Sequence, residues 1–410
     1  MTTATPVPTA SPAIHNTVLM LILGSIQAIM PISIDLYLPS LPTIAHEYNV
    51  LPGAVQFTLA IFMIGVAVGQ LFYGPITDKY GRKPPLYVGF GMYIVGALIC
   101  ATAPNITMLT GGRFLQALGA SAGTVISGAI ARDLWRGKEL ASRLSLLMLV
   151  LGVAPILAPS LGGVILAFWD WHGVFWVLVG YGVIMMSALT LLPETSSTSE
   201  RATVQLRAAP HAYLTILRNA PFMWYVVVAS CASAMLMSYI TSSSFLYIEM
   251  LAVTPRQFGI FFGINAVGLI GASQLNRVAL RHFRLEYIAQ RAFVSTVTVA
   301  TLMLIVVASG MVNIITVSVL FFLLCMSVGF IMPNIAALAF GHIHGRMGSA
   351  SAVQGTIQSI VGGLAGTLIG ILSNGTMWPI VGVIGSAAVC GAVFLFVTQR
   401  RISATPSASH

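Results

Sequence analysis

The stretch GPITDKYGRK, residues 74–83, separates two apolar segments at 53–73 and 85–104. Its glycine and proline residues favour a tight turn, and its Asp, Lys and Arg residues make it polar. An apolar segment of about 20 residues is long enough to span a bilayer as a helix. The stretch therefore predicts a short polar connection between two membrane-spanning helices.

The same alternation of apolar segments and polar breaks runs through the whole chain. Apolar residues make up 57% of the sequence, and Asp, Glu, Lys and Arg only 7%. Soluble domains carry about 25% charged residues, so this chain has too little charge to cover a surface in water. We expect twelve spanning helices at 16–40, 53–73, 85–104, 106–131, 141–168, 171–193, 220–248, 257–279, 288–310, 312–340, 349–373 and 377–398.

The longest polar stretch falls between the sixth and the seventh predicted helix. Short basic connections follow both the second and the eighth helix, and repeated halves of this kind are typical of secondary transporters. The sequence therefore predicts an all-α membrane protein with two six-helix pseudo-repeat bundles. Its predicted parts are an N-terminal bundle 1–193, a cytoplasmic linker 194–219, a C-terminal bundle 220–398 and a cytoplasmic tail 399–410.

The placement of basic residues supports this count of helices. With both termini in the cytoplasm, all but two of the 19 Lys and Arg residues fall in or beside cytoplasmic connections. The exceptions are Arg256, on the opposite side, and Arg113, inside the fourth helix. Cytoplasmic loops of membrane proteins carry such an excess of basic residues. The net charge of +9 therefore indicates topology, and we expect no nucleic-acid partner.

Cysteine and histidine usage favours neither a metal site nor a cofactor. The four cysteines lie in apolar segments without a CxxC pair, and the eight histidines lie in or near connections. The only charges deep inside predicted helices are Asp35 and Arg113, too few for a membrane-embedded active site. We expect a monomeric transporter rather than an enzyme, with a receptor or structural protein as the alternative that an absence of substrate flux would favour.

The loop at 74–83 resembles the signature of the major facilitator superfamily, G-x-x-x-D-x-x-G-R-K/R, in its position between helices two and three. In that family, the acid and the arginine of the loop join an acid at the end of helix four in a cytoplasmic gate. A basic turn that only orients the protein in the membrane is the alternative. The resemblance assigns the gate to Gly74, Asp78, Gly81, Arg82, Lys83 and Asp133.

The fourth helix carries a buried arginine in the sequence RFLQALGA, residues 113–120. An arginine at the centre of a bilayer costs roughly 2.5–3.5 kcal/mol on insertion scales, so Arg113 should face the protein interior and have a partner. Gln116 lies on the same helical face. The segment resembles the helix-four signature of the superfamily, in which the arginine is associated with proton transfer or substrate binding. A structural arginine bonded to backbone carbonyls is the alternative.

The fifth helix carries a face of small residues and prolines in GVAPILAPSLGG, residues 152–163. Small residues let helices approach closely in membranes, and prolines bend them. The segment resembles the antiporter signature of the superfamily, which is typical of exporters. Packing alone is the alternative explanation. The residues concerned are Gly152, Pro155, Pro159, Gly162 and Gly163.

The first helix holds the only acid well inside a predicted span, Asp35, in the sequence PISIDLYLP at residues 31–39. A carboxylate in a low-dielectric environment holds its proton more readily than one in water, as proton coupling requires. This segment and FLYIE at 245–249 resemble the bicyclomycin- and chloramphenicol-resistance branch of the superfamily. Some related exporters carry a second acid two turns earlier, where this chain has Gln27. Asp35 would then couple largely alone or with Arg113, unless it is only an interfacial cap.

The resemblance implies a proton-coupled antiporter of the bacterial inner membrane that exports hydrophobic or amphiphilic drugs, such as phenicol- or bicyclomycin-like antibiotics. An exporter or carrier of a small metabolite is the alternative. The implied partners are the drug, protons and the lipid bilayer. Asn265 and Asn334 equally suit hydrogen bonds between helices. The candidate substrate-binding residues are Gln27, Asp35, Tyr37, Arg113, Gln116, Tyr239, Phe245, Asn265 and Asn334.

Overall fold

The computed structural model describes residues 16–135, 137–196, 209–343 and 347–404. Throughout these ranges the chain forms helices and turns, without a β-strand. Twelve of the helices are long and apolar enough to span a membrane, which confirms the predicted fold class. They are α1 (Asn16–Asp35), α2 (Pro52–Tyr80), α3 (Lys83–Ala101), α4 (Ile106–Leu134), α5 (Gly137–Phe168), α6 (His172–Ala188), α7 (Ala220–Ser244), α8 (Pro255–Ala279), α9 (Leu285–Ala308), α10 (Ile314–Phe340), α11 (Met347–Leu372) and α12 (Trp378–Ala404).

Among the described residues five shorter elements lie at the helix ends, one of them a 3-10 turn, Leu189–Leu191, that follows α6. Between α1 and α2 the chain forms a 3-10 turn, Leu38–Ser40, and a short helix, Leu41–Glu47. A second short helix, Ala209–Leu217, precedes α7, and a π-helical turn, Phe245–Met250, extends it. The straight helix of the first predicted span, 16–40, therefore ends earlier than expected, because the chain turns directly after Asp35.

Polar caps fix where several spanning helices begin. Each capping side chain accepts a hydrogen bond from a backbone N–H of the first turn, which has no partner within the helix. In α8 and α10 the third helical residue also bonds back to the cap and completes a capping box. The capping residues are Asn105, Asn219, Thr254 and Asn313.

The twelve helices pack as two groups of six. Helices α1–α6 contact one another, as do α7–α12, and the most extensive contacts between the groups join α2 to α11 and α5 to α8. The second helix of each group thus pairs with the fifth helix of the other. This pairing is symmetric, as expected for related halves that face each other across a common axis.

Glycines bring the two groups into backbone contact at one end of the bundle. A Cβ atom added to Gly53 on α2 would lie 2.4 Å from the carbonyl oxygen of Gly370 on α11. A Cβ atom added to Gly163 on α5 would lie 2.4 Å from the carbonyl oxygen of Pro255 on α8. We call this end of the bundle the sealed end. The opposite end, which carries Arg82 and the 2–3 connection, is called the basic end.

We predict that Gly53→Ala forces the sealed end apart. The added methyl group has no room against the Gly370 backbone, and overpacking of this kind costs about 1–3 kcal/mol. Spin labels on cysteines introduced by Phe168→Cys and Met311→Cys, both exposed at the sealed end on opposite groups, should report a new, longer distance. The labels require a background in which the four native cysteines are replaced by serine.

The control for this experiment is Gly91→Ala, because no atom lies within 4 Å of a Cβ at Gly91. It should leave the distance distribution unchanged. An unchanged distribution for Gly53→Ala as well would show that contact at this glycine does not hold the sealed end closed.

Candidate functional site

The predicted gate residues meet at the basic end. Arg82 Nε donates to Asp133 Oδ2 at 2.8 Å, and Arg82 Nη1 donates to Asp78 Oδ1 at 2.7 Å. Gly81 ends the turn with φ of 90°, a backbone conformation that side chains rarely adopt. The 2–3 connection is thereby tied to the end of α4. All three charged residues belong to the first group of helices.

Two residues after α6 complete this cluster, and the sequence motifs gave no signal for either. The Glu194 carboxylate accepts hydrogen bonds from the backbone N–H groups of Arg82 at 2.9 Å and Lys83 at 3.1 Å, where α3 begins. A carboxylate at a helix N-terminus also interacts favourably with the helix dipole. The Thr195 hydroxyl donates to Asp133 Oδ2 at 2.8 Å. The start of the segment between the two groups is therefore anchored to this polar cluster.

The Arg82 guanidinium remains charged in this partly buried position. Burial by itself would lower the pKa of Arg82, but the hydrogen bonds to Asp133 and Asp78 raise it above its ordinary value. The Arg82 side chain is 11% exposed, whereas that of Asp78 is 56% exposed. The contact with Asp133, which is less exposed, therefore contributes more to stability than the one with Asp78.

We predict that Arg82→Lys lowers the transport rate about tenfold. A lysine keeps the charge but lacks the planar fork that reaches both carboxylates, and each lost charge-assisted hydrogen bond is worth about 1.5–3 kcal/mol. Substrate flux into proteoliposomes measures the effect. Arg143→Lys is the matched control, because Arg143 makes a longer contact of 3.5 Å with the exposed Glu139. Equal rates for both variants would contradict the prediction.

Arg113 lies inside the first group, closed in by aromatic rings. It has no exposed surface, and its Nη1 donates to the carbonyl oxygen of Ser33 at 3.0 Å and to Gln116 Oε1 at 2.7 Å. Its guanidinium carbon lies 4.2 Å from the ring centroid of Phe62 and 4.7 Å from that of Tyr37. Desolvated cation–π contacts contribute about 2 kcal/mol or more each, enough to offset the roughly 2.5–3.5 kcal/mol of membrane insertion.

In this structure Arg113 and Asp35 do not contact each other. Among the described residues no ion pair joins them, and Arg113 is completely buried within the first group, so a joint role in coupling stays a prediction. The two side chains are apart because of helix rotation: the last turn of α1 presents the Ser33 carbonyl to Arg113. Tyr37, another candidate for substrate binding, lies under Arg113 with its hydroxyl 2.9 Å from Thr58 Oγ1. The geometry of Arg113 therefore fits the alternative that the sequence left open, a structural arginine bonded to the backbone.

Asp35 lies on the other side of the last turn of α1. It is the last residue of α1 and is 4% exposed, and within the described ranges its carboxylate makes no hydrogen bond and no ion pair. It lies close enough to the Tyr239 hydroxyl of α7 for an electrostatic interaction. Asp35 is therefore a buried acid that belongs to one group of helices and faces the other.

Tyr239 begins a polar path into the second group. Asn265 on α8 donates from Nδ2 to the Tyr239 hydroxyl at 2.9 Å, and the same nitrogen lies 3.5 Å from the Tyr247 hydroxyl. Tyr247, in the π-helical turn, donates to Ser318 Oγ on α10 at 3.1 Å. The predicted residues Tyr239 and Asn265 are thus brought together, with Tyr247 and Ser318 as additional members.

The remaining candidates lie in separate places. Gln27 is partly buried on α1, and its Oε1 has no hydrogen-bond partner in the described structure. Phe245 lies at the sealed end. Asn334 pairs with Asn276 of α8, where one amide hydrogen bond measures 2.7 Å and the reciprocal one 3.5 Å. The Asn334 side chain therefore makes hydrogen bonds between helices, which was the alternative to substrate binding, and its amide is already paired with that of Asn276.

The predicted antiporter helix, α5, lies on the seam between the groups. A Cβ atom at Gly162 would lie 2.3 Å from the Leu36 carbonyl oxygen, directly after Asp35 in the chain. A Cβ atom at Gly152, nearer the basic end, would lie 3.3 Å from the Ile270 side chain of α8. Pro155 and Pro159 lie inside the helix between these glycines. Across the seam, contact along α5 is thus tightest at Gly163, near the sealed end, and looser towards the basic end, whereas the Gly162 contact lies within the first group.

A contact between a histidine and a glutamate, which sequence motifs did not indicate, joins the two groups at the sealed end. His46 Nε2, on the short helix Leu41–Glu47, lies 3.2 Å from Glu249 Oε1 in the π-helical turn. The neighbouring Glu47 is occupied elsewhere, since it accepts a hydrogen bond from Trp171 Nε1 at 2.6 Å. The last residue of the FLYIE segment therefore contacts the opposite group of helices.

Two symmetric groups of six spanning helices, joined along two seams, are the architecture on which many secondary transporters are built. The chain belongs to the Major Facilitator Superfamily, whose sequence model matches residues 23–367. This assignment agrees with the loop signature at 74–83.

Curated relatives support the same assignment. The chain is 33% identical over 390 residues to an uncharacterized MFS-type transporter, YdgK, of Bacillus subtilis, covering 94% of this chain and 96% of that protein. It is 30% identical to a bicyclomycin resistance protein homolog of Haemophilus influenzae (94% and 97% covered), and 28% identical to the multidrug resistance protein MdtL of Escherichia coli (93% and 94% covered). The resemblance to the bicyclomycin- and chloramphenicol-resistance branch is thereby confirmed.

The fold also matches a bacterial homolog of the human lysosomal transporter Spinster, solved in an inward-facing and occupied conformation. The TM-score is 0.73 at 12% sequence identity, covering 95% of this chain and 98% of that one.

Proposed function

We propose that this protein is a proton-coupled antiporter that exports hydrophobic or amphiphilic drugs, of the phenicol or bicyclomycin kind, by alternating access. Two relatives that match nearly the whole chain are named for bicyclomycin resistance and multidrug resistance. The glycine-rich seam of α5 supports a rocking motion, because close backbone contacts of this kind either form or separate as a unit.

The observation that carries the proposal is the unpaired, buried carboxylate of Asp35 at the seam. A charged carboxylate buried without a partner is strongly disfavoured, whereas a protonated one fits an apolar surrounding. A sealed end that is closed over Asp35 thus favours its neutral form. Loss of the proton favours separation of the groups, which admits water or a polar substrate group to the carboxylate.

The mechanism follows from this linkage between proton and conformation. The two groups, with predicted limits 1–193 and 220–398, rock about the linker 194–219. Asp35 takes up a proton while the sealed end is open, and its protonation stabilises closure of that end. The proton then leaves through the basic end, and the deprotonated residue, in contact with drug, favours reopening of the sealed end. Drug and proton exclude each other because both stabilise the carboxylate, one by contact and one by neutralising it. Tyr239 and Asn265 are the residues of the opposite group that sense the state of Asp35.

The proposal includes an orientation in the bacterial inner membrane with both termini in the cytoplasm. The basic end then faces the cytoplasm, in agreement with the positive-inside rule. The sealed end faces outward, where protons enter. The cluster of Asp78, Arg82 and Asp133 acts as a gate of the first group on the cytoplasmic side, and the predicted partners remain the drug, protons and lipid, with a monomer as the working unit.

A metabolite carrier on the same fold is the second candidate. One observation favours it: Gln27 Oε1 on α1 is a buried acceptor without a partner among the residues described, which a polar metabolite would satisfy. Growth of an expressing strain against a panel of antibiotics separates the candidates. Protection against at least one drug supports the proposal, and absence of protection together with flux of a polar metabolite supports the alternative.

We predict that Asp35→Asn abolishes uphill drug transport driven by a pH gradient, at least tenfold below wild type, because asparagine does not release a proton. Exchange of labelled for unlabelled drug should persist, since the asparagine side chain preserves the packing. Uptake into inside-out vesicles, with and without a pH gradient, measures both. Asp170→Asn, an exposed acid near the sealed end, is the control. Normal uphill transport by Asp35→Asn would disprove coupling at this residue.

A further inference from the structure

A cavity of about 260 Å³ lies at the sealed end between the two groups of helices. The start of α2 forms one wall, and the end of α7, its π-helical turn and the connection between α11 and α12 form the others. It is distinct from Asp35, which does not line it. Its volume is slightly below the range of roughly 300–1,000 Å³ that is typical of small-molecule sites. Residues that characterise its lining are Leu51, Gln56, Phe245, Glu249, Asn374 and Ile380.

One polar group in the lining is buried without any partner. Gln56 on α2 is 2% exposed, and its amide makes no hydrogen bond to any described residue. A buried amide without a partner costs about 1–3 kcal/mol in general, so this position favours a ligand that supplies the missing hydrogen bond. Gln56 Oε1 is an acceptor with almost no accessible surface, so a ligand that satisfies it has to donate a hydrogen bond to a Gln56 side chain turned towards the cavity.

The charge of the cavity is negative. Glu249 lies on its wall with one third of its side chain exposed, and the lining residues, all within the described ranges, include neither Lys nor Arg. The rest of the surface is largely apolar, with Phe245, Leu246 and Met250 on one side and Ile380 on another. The cavity therefore combines a carboxylate, a free acceptor and an apolar wall.

We propose that this cavity is a binding site for a small amphiphilic primary ammonium. The ammonium group pairs with Glu249 and donates a hydrogen bond to Gln56 Oε1, while the apolar body of the ligand packs against Phe245 and Ile380. Gln56 belongs to the first group of helices and Glu249 to the second, so a bound ligand bridges the seam. Occupation of the site therefore stabilises the closed sealed end.

His46 competes with the ligand for the same carboxylate. Its Nε2 atom lies 3.2 Å from Glu249 Oε1, and its side chain is 79% exposed. The other acid beside it, Glu47, is engaged by Trp171, and Tyr48 donates to the Ala103 carbonyl oxygen at 2.6 Å. Glu249 is thus the acid available to a protonated His46. A positive charge at position 46 weakens ligand binding, and its removal strengthens it.

The test is calorimetric titration of the purified full-length protein in nanodiscs with 2-phenylethylammonium. Glu249→Gln and Gln56→Leu are each expected to weaken binding at least tenfold. Asp170→Asn removes another acid near the sealed end, and Gln70→Leu removes from α2 another amide oxygen that is buried without a partner among the described residues; both controls should bind as wild type does. Equal binding by wild type and Glu249→Gln would overturn the proposal.

Two analogues test the chemical class of the ligand. Trimethyl(2-phenylethyl)ammonium keeps the charge without an N–H donor, and 2-phenylethanol keeps a donor without the charge. Both should bind at least tenfold more weakly than 2-phenylethylammonium. An equally tight quaternary ammonium would overturn the role of Gln56, and an equally tight alcohol would overturn that of Glu249.

Substitutions of His46 make the test independent of folding defects. In a mildly acidic buffer, in which imidazole is generally protonated, His46→Gln should tighten binding about threefold or more. His46→Arg, which keeps the positive charge, should bind no more tightly than wild type. Misfolding does not produce a gain in affinity, so tighter binding by His46→Gln alone supports the competition. Weaker binding by His46→Gln would contradict it.

The titration does not depend on the proposed drug export, because binding is measured without transport. Asp35→Asn separates the two proposals further. Since Asp35 does not line the cavity, this variant should keep full affinity for 2-phenylethylammonium. Loss of binding in Asp35→Asn would instead place the ammonium at Asp35 and overturn the site at the sealed end, whatever the outcome of the export assays.

Discussion

Backbone contact between helices at glycine is the constraint on which the rest of the structure depends. In a membrane the hydrophobic effect does not drive helices together, so close packing of small residues has to do so. Here Gly53 meets Gly370, and Gly163 meets the backbone at Pro255. These contacts bring whole helices together or leave them apart, because a close-packed seam has few intermediate arrangements. The two groups of helices are therefore suited to movement as units.

Two deeply buried ionisable residues of the protein, Arg113 and Asp35, have different surroundings in this packing. Arg113 is permanently charged, and it is compensated by a backbone carbonyl, an amide oxygen and aromatic faces inside one group of helices. Asp35 has the option of becoming neutral, and it lies at the seam without a partner in the described part of the chain. A fixed charge thus stabilises the interior of one group, whereas a titratable one lies where the groups meet.

The two ends of the bundle differ in the kind of contact they make. At the basic end, the polar cluster of Arg82, Asp133 and Glu194 lies within the first group and its following segment. At the sealed end, backbone contacts and the pair of His46 and Glu249 cross from one group to the other. The cavity beside Glu249 is a consequence of this second arrangement, because the π-helical turn of α7 projects towards the opposite group.

The sequence by itself determined the number and the approximate limits of the spanning helices, because segment length and apolar composition are local properties. It also identified three of the charged residues in the basic-end cluster, since Asp78 and Arg82 lie one turn apart and a family motif adds Asp133. Tertiary structure alone decided which way each helix faces. Rotation of α1 and α4 brought Arg113 to the Ser33 carbonyl instead of Asp35. The pairing of Asn334 with Asn276, the role of Glu194 and the contact of His46 with Glu249 join residues far apart in the chain. Helical periodicity fixes which residues share a face, but only packing against the neighbouring helices fixes what that face meets.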